Sequence, residues 1–297
     1  MKNTFIKKSL ASRIFDVFNY IFLTLLTVSC MLPIIHVLAV SFSDRASTGA
    51  NAVLFTPVGF NLAAYKAIIE EPAFLRAFLV TVFRTVTGTL LNLILTILAA
   101  YPLSKDTKEL KGRTFFMAYF LIPMLIGGGL VPTYILISQL KMIDTFWVLI
   151  LPGAVNVGYV VMMMNFFRGI NKSLLESAKM DGATEFDLLL RIVLPLSKAS
   201  LATIGLFFMV SHWNEWFSGT IYLNNRKLWP LQTLLKQMMV KIDLNNMSSE
   251  MIIKMQQLSD RSFRAAQVIV ATIPILCVYP FVQKYFITGV TIGAVKE

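Results

Sequence analysis

The chain has 297 residues, 56% of them hydrophobic and 14% charged, with a formal net charge of +11 and a mean hydropathy of +0.69. Soluble domains carry roughly 45–50% apolar and about 25% charged residues, so this balance excludes an ordinary soluble domain and indicates a membrane protein. The positive charge is spread over loops without a basic stripe interleaved with aromatics, which argues against nucleic acid as a partner.

A helix needs about 20 mostly apolar residues to cross about 30 Å of hydrocarbon. Six stretches qualify: Val17 to Phe42, Phe78 to Leu103, Thr114 to Leu140, Thr145 to Phe167, Ala199 to Ile221 and Phe263 to Phe286. Their backbone groups must be paired internally in lipid, and they are too long for barrel strands. The expected fold is an all-α membrane protein with six transmembrane helices. With the N-terminus inside, fifteen Lys and Arg residues fall inside and ten outside. Six of those ten lie in one long loop, which weighs little under the positive-inside rule, so both termini are expected in the cytoplasm.

Residues 1 to 16 form a short basic tail. The apolar run that follows continues past Cys30 through Val40, beyond the roughly 7–15 residues of a signal-peptide core, and reads as a retained span. His36, near its outer end, suits a packed or interfacial role better than proton transfer. Cys30 and Cys277 both lie in spans and read as packing groups. Outside, Asn61 is expected to cap a short helix whose Leu62, Tyr65, Ile68 and Ile69 rest on the membrane surface.

The second span carries Arg84 roughly 10 Å in from its outer end. Two readings are open: it snorkels outward, or it lines a polar pathway. Tyr101-Pro102-Leu103-Ser104 ends this helix, and a charged turn from Lys105 to Arg113 follows. The third span holds Pro123, Gly127-Gly128-Gly129 and Pro132 and cannot be a stiff helix; it is either a hinge or part of a path, or a site of close packing by small residues. In the fourth span, Asn156 and Asn165 are expected to bond across helices, and Tyr159 lies nearby.

Glu176 to Pro195 is a charged island between apolar runs. Asp181-Gly182 supplies a break, because glycine accepts the positive φ that ends a helix. Thr184 with Asp187 forms a capping signal for a second helix. At 100° per residue, Phe186, Leu189, Leu190 and Val193 share a face expected to be buried, opposite Thr184, Asp187 and Arg191. Pro195 prevents this helix from running unbroken into the next span. By pattern alone this is an interfacial amphipathic helix. The residue order, Glu176-Ser177-Ala178-x-x-Asp181-Gly182-Ala183 followed by Ile192-x-Leu194-Pro195, resembles instead the cytoplasmic coupling loop of permease subunits of ATP-binding cassette importers. Ser177 and Ala199 depart from the usual alanine and proline. The resemblance implies a two-helix coupling loop over 174–198 that docks on an ATPase subunit, with Glu176, Ala178, Asp181, Gly182, Ala183, Phe186, Leu194 and Pro195 as its coupling residues.

The fifth span reaches His212-Trp213-Asn214-Glu215-Trp216 about two-thirds of the way out. Aromatic faces beside amide and carboxylate groups suit sugars, whose C–H faces stack on indole while their hydroxyls take hydrogen bonds. The competing reading is an aromatic belt at the interface. This segment with Tyr222-Leu223 is similar to the carbohydrate, maltose-permease-like branch of the same family. The segment from Phe55-Thr56-Pro57 to Tyr65 and the Lys284-to-Val290 approach to the C-terminus look like it too.

The resemblance implies a multi-pass protein of the bacterial cytoplasmic membrane. It divides the chain into 1–77, with the tail, first span and outer loop, and a permease core of 78–297. It also implies import of an oligosaccharide by alternating access; the polar and aromatic groups Arg84, Asn156, Tyr159, Trp213, Asn214, Glu215 and Trp216 are the candidates for lining its substrate path. Implied partners are a second, non-identical permease chain, a dimer of ATP-binding subunits and an external substrate-binding protein, which the loop from Asn224 to Ser262 would meet. No phosphate-binding loop, Gly-x-Ser-x-Gly motif or Cys/His metal set is present in the sequence, so no enzyme activity and no bound cofactor is expected, and ATP would be used by the partner subunits. Import of a peptide or phosphate, and a stand-alone secondary transporter, are the alternatives.

Overall fold

In the computed structural model the described residues are 9–240 and 260–294. The basic tail before residue 9, the part of the long outer loop over 241–259, and the Lys284-to-Val290 side chains lie outside what is described. Every regular element among the described residues is helical. In order these are α1 (Leu10–Ser41), α2 (Arg45–Gly49), α3 (Ala63–Ile69), α4 (Phe74–Ser104), α5 (Arg113–Leu125), α6 (Leu130–Gln139), α7 (Val157–Arg168), α8 (Lys172–Met180), α9 (Glu185–Leu196), α10 (Lys198–Asn214), α11 (Phe217–Tyr222), α12 (Leu231–Val240) and α13 (Asp260–Ala294). Short 3₁₀ turns at Phe146–Leu149 and Leu151–Gly153 precede α7. Contacts divide the chain into one unit of 1–70 with 242–272 and another of 71–241 with 273–297.

In the first unit α1 is apolar and exposed along nearly its whole length, and only Ala39, Val40 and Ser41 at its end are buried. Such a helix suits a lipid surround. Its end packs with Val53 and Ala265, and Ser262 Oγ donates to the carbonyl of Ser43. His36 Nδ1 lies 2.7 Å from the carbonyl of Leu54, which fits its packed role. Asn61 Oδ1 accepts from the N–H of Ala63, so it forms a turn ahead of α3 instead of its N-cap. Ile68 is fully buried and the Tyr65 hydroxyl lies 2.7 Å from Ser41 Oγ, so only Leu62 and Ile69 of the expected surface face are exposed.

In the second unit α4 organises the fold. Thr81, Arg84, Thr85, Gly88, Asn92 and Thr96 are buried, while Leu79, Phe83, Val86, Leu90, Ile94 and Leu98 are exposed. Both sets recur every three or four residues, so this span is polar towards protein and apolar outwards. Gly88 lets α10 approach closely: a Cβ there would meet His212 Nε2 at 2.5 Å, whereas one at Gly127 would meet nothing within 4 Å. Gly88→Ala is therefore expected to cost about 1–3 kcal/mol by overpacking, and Gly127→Ala much less. Thermal midpoints of the two variants in detergent check this, and equal midpoints would sink it.

The third, fourth and fifth expected spans are broken, whereas the sixth lies within the single helix α13. α5 and α6 are bent by 115° about residues 126–129, so 113–139 does not cross as one straight helix, in keeping with the prolines and glycines there. The 3₁₀ segment Phe146–Gly153 and α7 are bent by 55°. Here Asn156 caps α7 by accepting from the N–H of Tyr159, and Asn165 is exposed on the same helix. That corrects the expectation of an interhelical bond from Asn156, since the free N–H groups at a helix start are its nearest donors. α9 and α10 are bent by 81° just after Pro195, as its missing N–H requires. α10 then stops at Asn214, short of the expected Ile221, and α11 follows from Phe217. Only α1 and α4 are long and apolar enough to cross a membrane as single described helices, and the three bent pairs pass that test together.

Candidate functional site

Two clusters of polar side chains lie towards opposite ends of α4. The first is built around α8 and α9. α8 ends in a Schellman motif: the N–H of Ala183 donates to Ala178 O and that of Gly182 to Lys179 O, both at 3.0 Å, with Gly182 at φ +85°. This geometry closes the exposed carbonyls of the last turn and requires a left-handed residue. Thr184 and Asp187 then form a capping box that starts α9, holding the Asp187 carboxyl below its usual range through its bonds to the Thr184 side chain and backbone. The expected break and cap are both present.

The buried face of α9 differs from expectation. Leu188, Leu189 and Val193 are buried, whereas Phe186 and Leu190 are 70% and 57% exposed. Leu188–Val193 adopts a π-helical turn. The wider turn departs from the 100° per residue that placed Phe186 and Leu190 inside. Leu189 and Val193 instead join Ala100, Tyr101 and Leu103 of α4, Met163 and Phe167 of α7 and Ile204 of α10 in one core. Leu174, Met180 and Phe186 remain exposed on the loop, Met180 at 88%. Glu176, Asp181, Gly182 and Pro195 are also exposed, while Ala178, Ala183 and Leu194 are half-buried.

Ion pairs tie this loop to the end of α4 and the turn after it. Lys172 meets Asp106 at 2.5 Å, and Lys179 meets Glu109 and Glu185 at 3.0 Å each. Glu185 also accepts from the Tyr101 hydroxyl at 2.6 Å and from Lys105 Nζ at 2.9 Å. Burial alone would raise the Glu185 carboxyl, but the donors from Tyr101, Lys105 and Lys179 outweigh it and bring it down to about 2. Sequence reasoning did not single out Glu185, Tyr101 or Lys105 as a cluster, because they are 84 positions apart at the widest and follow no local spacing.

The second cluster surrounds the break between α10 and α11. Arg84 is 2% exposed. Its Nε and Nη2 donate to the carbonyl of Leu149 at 3.2 and 3.0 Å, Nη1 to the carbonyl of Glu215 at 3.0 Å, and Nη2 to Glu215 Oε2 at 2.7 Å. The other carboxylate oxygen accepts from the N–H of Ser218 at 2.8 Å and so caps α11. Arg84 therefore does not snorkel; it is a buried brace between three segments. Beside it, Asn92 Nδ2 lies 3.1 Å from His212 Nε2. Among the described residues, Asn92 Oδ1 and the hydroxyls of Thr85 and Thr96 are buried without a hydrogen-bond partner.

A cavity of about 140 Å³ opens here, lined by Arg84, Asn92, Asn156, Tyr159, His212, Glu215 and their neighbours. Four of the seven expected path residues thus meet in one place. The other three do not line the cavity: Trp213 is buried edge-on to Phe78 at 6.1 Å, Asn214 is exposed, and Trp216 is exposed beneath Lys236, whose Nζ lies 5.0 Å from its ring. Asn92 and His212 were missed as site residues, although the buried Thr, Gly and Asn spacing along α4 was visible in the sequence. Among the described residues no group of three or more His, Cys, Asp or Glu could hold a metal ion.

No family model matches the chain. It is 39% identical over 288 residues to the protein LplC of Bacillus subtilis, covering 96% of each chain. It is 38% identical to the polygalacturonan/rhamnogalacturonan transport system permease protein YtcP of the same organism, covering 96% of this chain and 99% of that one. Among solved structures it is similar to a chain of a bacterial ABC transporter involved in the import of the acidic polysaccharide alginate. That match has a TM-score of 0.83 at 30% identity, covering 94% of this chain and 99% of the other.

Proposed function

The chain belongs to the permease subunits of carbohydrate ATP-binding cassette transporters, and on that premise we propose that it is one transmembrane half of an ATP-driven importer for an oligosaccharide. It is a membrane protein, and we read it as crossing six times with both termini in the cytoplasm. The observation that carries the reading is the two-helix loop of α8 and α9, closed by Gly182, capped by Thr184 and Asp187, with Met180 and Phe186 exposed on it. An apolar surface on an otherwise polar loop suits a docking contact. Glu176, Ala178, Asp181, Gly182, Ala183, Phe186, Leu194 and Pro195 are assigned to coupling with the ATPase.

The cycle follows from these parts. A loaded external binding protein docks on the outer face, and ATP closes a pair of cassette subunits that this chain does not itself contain. Their closure moves the coupling loops of this chain and of a second permease. Binding energy released at the cassettes thereby shifts the bundle between outward- and inward-facing states. The 140 Å³ cavity is small against the roughly 300–1,000 Å³ of small-molecule sites, so it does not enclose an oligosaccharide in this conformation. Arg84, Asn156, Tyr159 and Glu215 are proposed to border the path where it opens, with Asn214 and Trp216 exposed at its edge. Trp213 serves as packing against Phe78. One similar structure is of a transporter for the acidic polysaccharide alginate and one relative is named for polygalacturonan and rhamnogalacturonan, so fragments of those are the first cargoes to try.

The test is gentle purification from the native membrane of the wild type beside an Asp181→Lys, Gly182→Pro double variant, with co-purifying proteins identified by mass spectrometry. An ATPase and a second permease are expected with the wild type only. A wild type that comes alone and transports in vesicles without ATP, under an ion gradient, would overturn the reading in favour of a secondary transporter.

A further inference from the structure

The coupling loop touches the rest of its unit through two kinds of contact. Leu188, Leu189 and Val193 give an apolar contact, which holds the loop down but has no directional preference. Polar contacts are the other kind: the exposed Lys172–Asp106 and Lys179–Glu109 pairs reach the turn after α4, and Glu185 reaches α4 itself. One carboxylate oxygen takes the Tyr101 hydroxyl at 2.6 Å and Lys105 at 2.9 Å, both on or just past the end of α4, and the other takes Lys179 of α8 at 3.0 Å. Charge-assisted bonds of this length fix both distance and orientation. Tyr101 is 8% exposed and packs its ring edge-on to Phe167 at 6.4 Å, so the hydroxyl is presented from a side chain that is itself held by the core.

The loop has room to move without that link. A cavity of about 570 Å³ lies between it and the bundle, bordered by Tyr101, Lys105, Glu109, Arg168, Glu176 and Lys179. Without the Glu185 link the loop keeps only its apolar contact and the solvent-exposed Lys172–Asp106 and Lys179–Glu109 pairs to the turn after α4, which hold the helix itself weakly, so a displaced loop would slide and leave α4 where it was. With the Glu185 link in place, the displacement is carried into α4. That helix is 31 residues long, and a further polar anchor on it, Arg84, lies 17 positions before Tyr101, about 25 Å along the axis. Arg84 holds Leu149 O within the 3₁₀ segment that leads into the bend of the fourth span, and Glu215 at the end of α10, where the fifth span is broken.

Resting on the importer reading above, we propose that Tyr101 and Lys105 are positioning residues. Through Glu185 they fasten the coupling loop to α4, and α4 then acts as a rod that carries loop movement to the Arg84-held breaks. The functional residues of the coupling loop thus include a link made outside the loop itself. α4 is the element whose position both ends share, which is the physical requirement for coupling between distant sites.

The experiment uses the complete complex purified with its ATPase, with Cys30→Ser and Cys277→Ser removing native thiols and Asn214→Cys placing a reporter at the break. Maleimide labelling of the reporter is timed with and without ATP plus vanadate, alongside ATP hydrolysis. In the parent complex the nucleotide is expected to change the labelling rate. Tyr101→Phe, which keeps the packed ring, and Glu185→Gln are each expected to shrink that change by about 2- to 30-fold, the range residues on a coupling route command. Hydrolysis and the nucleotide-free rate should hold near the parent values, and the double variant should be no worse than the weaker single. A merely structural role would shift the nucleotide-free rate as well. If the parent responds to nucleotide and Tyr101→Phe responds equally, the rod is wrong while the importer reading stands. A parent complex that hydrolyses no ATP refutes the importer reading itself.

Discussion

Replacing Arg84 by methionine is expected to destabilise the protein by about 3–5 kcal/mol, the cost of removing one partner from a buried ion pair. The guanidinium is 2% exposed and saturates three acceptors on two other segments, the carbonyl of Leu149 and the carbonyl and carboxylate of Glu215. Methionine fills much of the volume but leaves Leu149 O, Glu215 O and Glu215 Oε2 without their donor, so the carboxylate keeps only its bond from the N–H of Ser218. Arg84→Lys is expected to recover only part of the loss, because one ammonium cannot reproduce the planar fork that reaches Leu149 and Glu215 together. Arg84→Met with Glu215→Gln should cost less than the two changes added, since the second removes the stranded charge. Thermal midpoints of detergent-solubilised protein measure all three. A wild-type midpoint for Arg84→Met would mean that water replaces the guanidinium freely and that the brace has no structural weight.

The largest functional loss is expected from Gly182→Pro. Proline fixes φ near −65°, whereas Gly182 stands at +85°, and it removes the N–H that donates to Lys179 O at 3.0 Å. The Schellman closure of α8 is then lost, and with it the angle at which α9 leaves. Nothing in the bundle core rests on Gly182: a Cβ built there meets no atom within 4 Å, and the residue is exposed. The variant should therefore insert and accumulate as the wild type does, while ATP hydrolysis no longer drives uptake. Gly182→Ala, which keeps the N–H and strains only the backbone, is expected to cost about 1–2 kcal/mol locally and to uncouple partially. Uptake assayed in vesicles against hydrolysis in the same preparation gives the ratio. Normal uptake by Gly182→Pro would remove the loop from the mechanism.

Arg84 on α4 and Gly182 in the loop between α8 and α9 separate stability from coupling. Arg84 acts through burial, and its loss should be read in the folded fraction. Gly182 acts through backbone geometry at an exposed turn, and its loss should be read in the uptake ratio. A defect at Tyr101 or Glu185 would resemble the second and not the first.

What the sequence determined by itself was the part of this protein written in local order. Helix and membrane class follow from composition and run length. The break at Gly182, the capping box of Thr184 and Asp187 and the stop at Pro195 follow from residues within four positions of one another, where backbone chemistry leaves few choices. The tertiary structure decided the rest. Whether Arg84 snorkelled or stayed inside depended on acceptors at Leu149 and Glu215, 65 and 131 positions away. Which face of α9 was buried depended on a π turn that a fixed 100° periodicity does not contain. The Glu185 link to Tyr101 joins residues 84 positions apart, and Asn156 chose the nearest helix N-terminus over a neighbouring helix. Polar groups in a low-dielectric interior must find partners wherever packing brings them, and only the packed chain says where that is.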